Sequence, residues 1–137
     1  MSGAITLKCS LIKNGTELYG SKGPIFLPGP VEPRFSRYLT FEGISVDEQG
    51  KQFHLDAHVS YRMACLAAIE QLKKFGYSGE QAYLLLSAAP VEGKIAGIVD
   101  VPNCCATVGL PLDIFDFDIR PVEGGPVKRD LGACATC

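Results

Sequence analysis

The sequence has no apolar run that approaches the roughly 20 residues of a membrane-spanning helix, and this predicts a protein without a membrane partner. Its first ten residues, MSGAITLKCS, lack the basic segment and apolar stretch of a secretory signal. It also lacks an excess of positive charge, since 13 basic residues stand against 15 acidic ones. No nucleic-acid partner is therefore predicted, and a cytoplasmic location is expected.

Histidine is scarce, with two residues, whereas cysteine is not, with six. Without a secretory signal, these cysteines do not predict a disulfide framework. Cys9 and Cys65 each have apolar neighbours in the sequence and are interpreted as small buried thiols. A reduced environment is the setting that this cysteine usage favours.

Residues 1–36 are predicted to contain one strand and a Pro-rich extended segment. Residues 4–12, AITLKCSLI, alternate in part and are rich in apolar types, which is typical of a strand. Residues 13–16 follow as a turn, because Asn-Gly tolerates positive φ. The prolines that follow indicate an irregular extended connection over residues 20–36.

Residues 37–121 are predicted to form an α+β domain in which two helices pack on a small β-sheet. Strand patterns occupy three segments: 37–46, 94–101 and 104–112. The stretch 115–119 alternates as well, with Phe115, Phe117 and Ile119 on one face. The acidic residues between them are interpreted as a solvated face, because the EF-hand pattern of a calcium loop is absent.

The first predicted helix covers residues 56–75, where apolar residues recur every three or four positions. Asp56 is a suitable N-cap, since its carboxylate can accept from the unpaired N–H groups of the first turn. Gly76 supplies the left-handed residue that ends the helix. Ser78 and Gln81 have the spacing of a capping box for a second helix over 79–88. That helix is apolar nearly all round, so burial on several sides is expected.

His54, Asp56 and His58 are the most chemically suggestive group in the sequence. On a strand they would share one face and offer nitrogen and oxygen ligands that suit zinc. A helix that begins at Asp56 breaks this alternation and gives the carboxylate a capping role. We favour the interpretation in which Asp56 caps the helix and the two histidines lie at the surface. No metal site is therefore predicted in this chain, and a zinc site is the alternative.

No nucleophile elbow of the GxSxG type and no Ser-x-x-Lys spacing occurs at Ser87 and Lys94. Cys104 or Cys105 with one of the histidines is the remaining covalent option. Residues 122–137 turn to Gly, Pro and isolated charges, which predicts a flexible tail. Its CxxC, Cys134 to Cys137, is interpreted as incidental, because a structural zinc needs four ligands.

A resemblance to a known family covers most of the chain. Residues 64–119 read ACLAAIEQLKKFGYSGEQAYLLLSAAPVEGKIAGIVDVPNCCATVGLPLDIFDFDI, and they resemble the C-terminal signature of the acetamidase/formamidase family. The segments KKFGYSGEQAYLLLS and IVDVPN are most similar to the formamidase branch, as are LIKNG, YGSKGPIF and YLTFEGISVDEQGKQ upstream. His58 departs from the pattern, where a Thr or another small residue is expected, and the cysteine-rich ending matches nothing in the family.

The resemblance implies a formamidase-type amidohydrolase, which hydrolyses formamide or a similar short amide to the acid and ammonia. It implies that the chain is a C-terminal fragment, inactive alone, whose N-terminal strand belongs to a β-sandwich of the parent enzyme. The larger N-terminal part of the family, with its His- and Asp-containing metal and catalytic segment, has no counterpart here. The resemblance allows a divalent metal in the full-length enzyme and implies a homo-oligomer or association with the N-terminal region.

Within this fragment the resemblance leaves supporting groups for catalysis, and the candidates are Tyr83, Asp100 and Asn103. A structural interpretation stands beside it, in which Tyr83 is a packed aromatic and Asp100 a carboxylate that stabilises a turn. The alternative function is a non-catalytic, stand-alone interaction protein that associates with full-length amidase subunits.

Overall fold

The structure, a computed structural model, describes residue 4, residues 6–20, residue 23 and residues 37–132. The chain divides into two compact units, residues 1–33 and residues 34–137, and each is described by itself. Among the described residues, no helix is long and apolar enough to cross a bilayer.

In the first unit the described residues among 4–12 have no regular secondary structure, and the predicted strand stays a prediction. A strand needs a neighbour for its main-chain hydrogen bonds, and none pairs with this segment within the described ranges. Asn14 takes a positive φ of 57°, and the helix α1 (Gly15–Tyr19) follows in place of a simple turn. Cys9 is exposed rather than buried. The predicted Pro-rich connection over 20–36 lies almost wholly outside the described residues.

The second unit contains an antiparallel sheet of three strands, β1 (Tyr38–Ile44), β2 (Glu92–Gly97) and β3 (Cys105–Pro111). Their order is β1-β3-β2, so β3 is central, with Tyr38 opposite Pro111 and Glu92 opposite Gly109. The three strands confirm the predicted pattern. However, β2 begins two residues before the predicted start and ends at Gly97, so residues 98–104 lie outside the sheet.

The helix α2 (Ala57–Lys74) covers one face of this sheet along β1 and β3, and the helix α3 (Gly79–Ala88) packs against α2. Both lie within one residue of the ranges that the apolar spacing predicts. The Oδ1 atom of Asp56 accepts from the N–H of Val59 at 3.0 Å. Ser78 and Gln81 form the reciprocal capping box of α3, with distances of 2.8 and 3.1 Å. The α+β prediction is thereby confirmed for the second unit.

The helix α2 lies very close to the sheet at Gly43 of β1. A Cβ atom at this position would collide with the carbonyl oxygen of Ser60 and the amide nitrogen of Ala64, both in the α2 backbone. Ala64 is itself fully buried. Glycine and alanine at this crossing therefore let α2 lie directly on β1.

An apolar core lies where the C-terminal end of α2 meets α3 and β3. It is formed by Leu72, Phe75, Ala82, Leu110 and Ile119. Ala82 is the residue of α3 that is fully buried. The expectation that α3 is buried on several sides is wrong within the described part of the chain, since Tyr83 is 64% and Leu84 52% exposed. The helix α3 has apolar side chains nearly all round, and its one packed face buries only some of them.

The segment that alternates over 115–119 is not a strand. A short 3-10 turn (Leu112–Ile114) precedes it, and Phe115 and Phe117 then pack on the core while Ile119 is fully buried. The predicted division into an apolar and an acidic face is therefore right. The segment is not a strand, because no neighbouring strand in the described ranges forms main-chain hydrogen bonds with it. The acidic residues between them are exposed, as predicted.

Residues 129–132 of the tail contact the rest of the second unit, and the predicted flexibility of residues 122–137 stays a prediction. The guanidinium of Arg129 lies 4.4 Å from the ring centroid of Phe117. The backbone N–H of Arg129 donates to the carbonyl of Phe75 at 2.9 Å. Gly76, at φ 112°, has the carbonyl of Arg129 against its Cα. Gln81 donates to the carbonyl of Gly132 at 3.2 Å. These contacts use main chain and a cation, which apolar periodicity does not detect. Cys134 and Cys137 lie outside the described residues.

Replacing Arg129 with alanine is expected to lower the free energy of unfolding by about 1 kcal/mol, because the cation–π contact with Phe117 is lost. Urea unfolding followed by circular dichroism measures the change. Lys128→Ala is the matched control, since Lys128 is exposed and has no cation–π contact among the described residues. Equal stability of the two variants would show that Arg129 does not hold the tail.

Candidate functional site

The loop between β2 and β3 contains two of the three candidate residues, and we call residues 98–103 the IVDVPN loop. Asp100 has a left-handed backbone with φ 65°, a conformation that Asp and Asn tolerate better than most side chains. Asp100 is exposed. Val99 and Val101 on either side are 79% and 70% exposed. The loop thus presents one carboxylate between apolar side chains at the surface of the second unit.

A polar network fixes the C-terminal end of this loop. The Oδ1 atom of Asn103 accepts from Nε2 of Gln52 at 2.8 Å and from Oγ of Ser45 at 3.3 Å. Gln52 also donates to the carbonyl of Ser45 at 3.0 Å. Ser45 is fully buried, and its Oγ accepts from the N–H of Cys104 at 3.0 Å. Asn103 is therefore held by groups that follow β1, about fifty residues earlier in the chain.

A second set of bonds ties the loop to the start of α2. The N–H of Leu55 donates to the carbonyl of Pro102 at 2.9 Å. The hydroxyl of Ser60, fully buried, lies 2.8 Å from the carbonyl of Cys104 and 2.8 Å from the carbonyl of Asp56. Since buried polar groups that find partners rigidify their surroundings, the loop has a defined base, while its tip at Asp100 is free of such bonds in the described residues.

His54, Asp56 and His58 do not share the face that the zinc alternative requires. Leu55 between them has φ 54°, so the segment is not an extended strand. The Asp56 carboxylate is engaged as the cap of α2, and His58 lies in the first helical turn. Among the described residues, no three His, Cys, Asp or Glu side chains are grouped as metal ligands. As a helix cap followed by the first helical turn, the segment does not present the extended ligand set that a metal site there would need.

Cys105 at the start of β3 and Cys104 just before it are poor candidates for a nucleophile. Burial, with the Glu42 carboxylate nearby as the next cause, raises the pKa of the Cys105 thiol, and a thiol rather than a thiolate is a weak nucleophile. Cys104 is fully buried. In the described part of the chain, neither is hydrogen-bonded to a histidine. The covalent option therefore finds no support in the geometry.

Tyr83 lies apart from Asp100 and Asn103 within the second unit. It follows Ala82, which packs beside Leu72 at the C-terminal part of α2, whereas the loop is tied to Ser60 near the N-terminus of α2. Ser60 and Leu72 are twelve positions apart, which is about 18 Å at roughly 1.5 Å per residue. The sequence pattern does not predict the roles of Ser45 and Gln52 in holding Asn103. Nothing local to either residue indicates a partner about fifty positions away.

Three comparisons place the chain among known proteins. The family model described as acetamidase/formamidase family matches residues 1–117. The chain is 60% identical over 126 residues to a formamidase of Methylophilus methylotrophus, a match that covers 92% of this chain and 31% of that protein. It is 54% identical over 98 residues to an acetamidase of Mycolicibacterium smegmatis, covering 70% of this chain and 24% of that protein.

A solved structure also matches. It is a gamma lactamase from Delftia acidovorans, 65% identical in sequence, with a TM-score of 0.84 over 87% of this chain and 29% of that one. The chain thus spans about a third or less of the length of the relatives that it matches.

Proposed function

We propose that this chain, which belongs to the acetamidase/formamidase family, is part of an amidohydrolase that cleaves the C–N bond of short amides. The observation that carries the proposal is sequence identity of 54–60% to proteins named acetamidase and formamidase. The name of the structural match, a gamma lactamase, denotes the same class of bond in a cyclic amide. Formamide or a similar small amide is the substrate class that we propose.

Amide hydrolysis needs an activated water, hydrogen-bond donors for the developing oxyanion and an acid for the leaving nitrogen. We propose that the part of the enzyme not contained in this chain activates the water, with a divalent metal as a candidate cofactor there. This chain supplies the IVDVPN loop. Asp100 is its exposed tip, and Asn103, fixed by Gln52 and Ser45, is a positioning residue that sets the loop's direction. Tyr83 is assigned a surface role apart from the loop.

We also propose that residues 4–12 join a β-sandwich of the full-length enzyme. Leu7 and Leu11 are 77% and 85% exposed in the first unit, and a neighbouring strand would cover them. Burial of apolar surface stabilises by about 25 cal/mol per Å², so the segment gains its strand structure only where such a neighbour is present.

The purified chain alone is expected to hydrolyse formamide, acetamide and a γ-lactam no faster than buffer, because the water-activating groups lie elsewhere in the enzyme. Co-expression with the part of the Methylophilus formamidase that this chain does not match should restore turnover, measured as released ammonia or as ring opening. Each fragment alone and the intact formamidase are the controls. Turnover by the isolated chain that is lost in His54→Ala or His58→Ala would overturn the proposal and favour the zinc alternative.

A failure of complementation, with tight binding of this chain to intact formamidase subunits, would favour the stand-alone interaction protein. The two outcomes are distinguished in one experiment, because complex formation is measured by co-purification and activity by the amidase assay on the same sample.

Replacing Asp100 with asparagine is expected to lower kcat/KM of the complemented enzyme about tenfold, which corresponds to about 1.4 kcal/mol. Asparagine also tolerates the left-handed backbone, so the loop should keep its shape while the charge is lost. Asp116→Asn, another exposed carboxylate, is the control and should leave kcat/KM unchanged. An equal kcat/KM for both variants would remove Asp100 from the site.

A further inference from the structure

The outer edge of β2 has main-chain groups that no strand pairs with in the described residues, since β3 is its one partner there. Every residue of β2 except Gly97 is exposed. Apolar residues continue along the same stretch of chain at Ile95, Ile98 and Val99. An exposed, apolar edge strand of this kind is a template for pairing with another strand.

The two faces of β2 differ in chemistry. Glu92 and Lys94 lie opposite Gly109 and Thr107 on the face that α2 does not cover. Ile95 points to the other face, where it lines an open groove of about 420 Å³ together with Tyr61 and His58 of α2. The strand therefore has a charged face and an apolar face, and a partner must match both.

We propose that β2 pairs antiparallel with β2 of a second copy of this chain, about a two-fold axis at Gly93, so that two three-stranded sheets become one. In this register Glu92 lies opposite Lys94 of the second copy, and Lys94 lies opposite its Glu92. On the other face Val91, the residue before β2, lies opposite Ile95 of the second copy, and the pair is repeated by symmetry. The pairing ends there, because the next residue, Pro90, has no N–H to donate. A two-fold interface is self-complementary by construction.

The order of charges along β2, Glu92 followed by Lys94, favours a second copy of this chain as the partner of the β2 edge. Opposite charges directly across two strands attract, and like charges repel. Glu92 and Lys94 are already 3.0 Å apart within one chain, and Glu92 lies 3.3 Å from the hydroxyl of Tyr38, so the carboxylate is oriented on this face. An axis moved to Ile95 would place Lys94 opposite Ala96 and would leave both charges without a cross-strand partner. The proposal does not depend on the amidase activity.

Analytical ultracentrifugation of the chain over a concentration series tests the proposal. The wild type should show a monomer–dimer equilibrium. Glu92→Lys places lysine opposite lysine twice in each dimer, and Lys94→Glu places glutamate opposite glutamate twice. Each variant alone should dimerise at least about tenfold more weakly than the wild type. An equimolar mixture of the two should form heterodimers of wild-type strength, because each strand then meets its opposite charge.

The mixture separates an intermolecular effect from an effect within one chain, since a broken Glu92–Lys94 contact inside a chain is not repaired by mixing. Glu123→Lys and Lys128→Glu, exposed charges outside the sheet, should dimerise like the wild type, alone and mixed. A monomeric wild type at all concentrations, or a dimer whose strength neither reversal changes, would overturn the proposal.

A measurement on the wild type alone covers the case in which a reversal impairs folding. Hydrogen exchange of those amides of residues 91–95 that point away from β3 should slow as the concentration rises through the dimerisation range, because the outer edge becomes hydrogen-bonded. If dimers form while these amides exchange as fast as in the monomer, the interface lies elsewhere and the β2 register is wrong.

Discussion

Replacing Gly43 with alanine is expected to lower the free energy of unfolding by about 3 kcal/mol, at the upper end of what one added methyl group costs in a packed core. The added Cβ would meet the carbonyl oxygen of Ser60 and the amide nitrogen of Ala64. Both atoms belong to the α2 backbone, so no side-chain rotation relieves the collision. The helix must move away from β1, and urea unfolding of both proteins measures the loss.

The matched control is Gly79→Ala at the first residue of α3, where an added Cβ meets nothing within 4 Å. Alanine favours a helix over glycine by up to about 1 kcal/mol, so this variant should be as stable as the wild type or slightly more stable. If Gly43→Ala behaves like Gly79→Ala, then α2 does not lie against β1 as closely as the structure has it.

The helices were predictable because their determinants are local. Asp56 and the apolar spacing behind it fix the start and the face of α2, and the Ser78–Gln81 pair fixes the start of α3. Each signal lies within four residues of the bond that it predicts. Strand β3 was predictable for a similar reason, since it is buried along nearly its whole length and its apolar character is continuous.

The features that local sequence patterns do not reveal have a different cause, because they depend on a partner that is distant in the sequence. The apolar pattern of residues 4–12 is compatible with a strand, but a strand forms only where another strand accepts its hydrogen bonds. The contact of Arg129 with Phe117 and Phe75 has no periodicity that would reveal it. A charged residue in a Gly- and Pro-rich segment is typical of a solvated tail. In the structure, however, the Arg129 guanidinium lies over the Phe117 ring.

The same distinction between local signals and distant partners applies to the candidate site. Asp100 and Asn103 could be proposed from the resemblance of IVDVPN to the family, and the structure shows what holds Asn103, namely Gln52 and Ser45. Neither of these was predicted, because each looks like an ordinary polar residue after a strand. Tyr83 was proposed on the same resemblance, yet it lies near the opposite end of α2. A shared family motif does not establish that its residues share a site.

Replacing Leu72 with alanine is expected to lower the free energy of unfolding by about 3–4 kcal/mol, within the range for large-to-small changes in a core. Leu72 is fully buried and packs with Phe75, Ala82, Leu110 and Ile119, so it joins α2, α3, β3 and the segment after the sheet. The cavity cannot close easily, since these neighbours belong to four different parts of the second unit. Thermal and urea unfolding of the purified variant measure the change.

Leu84→Ala on α3 is the matched control, because the same three carbon atoms are removed from a side chain that is 52% exposed. It should change the free energy of unfolding by less than about 1 kcal/mol, since little apolar surface returns to water and alanine is a good helix former. A large loss in Leu84→Ala would show that the exposed face of α3 is covered in solution, by another copy or by another part of the chain. Equal small losses in both variants would mean that Leu72 does not occupy the centre of the core.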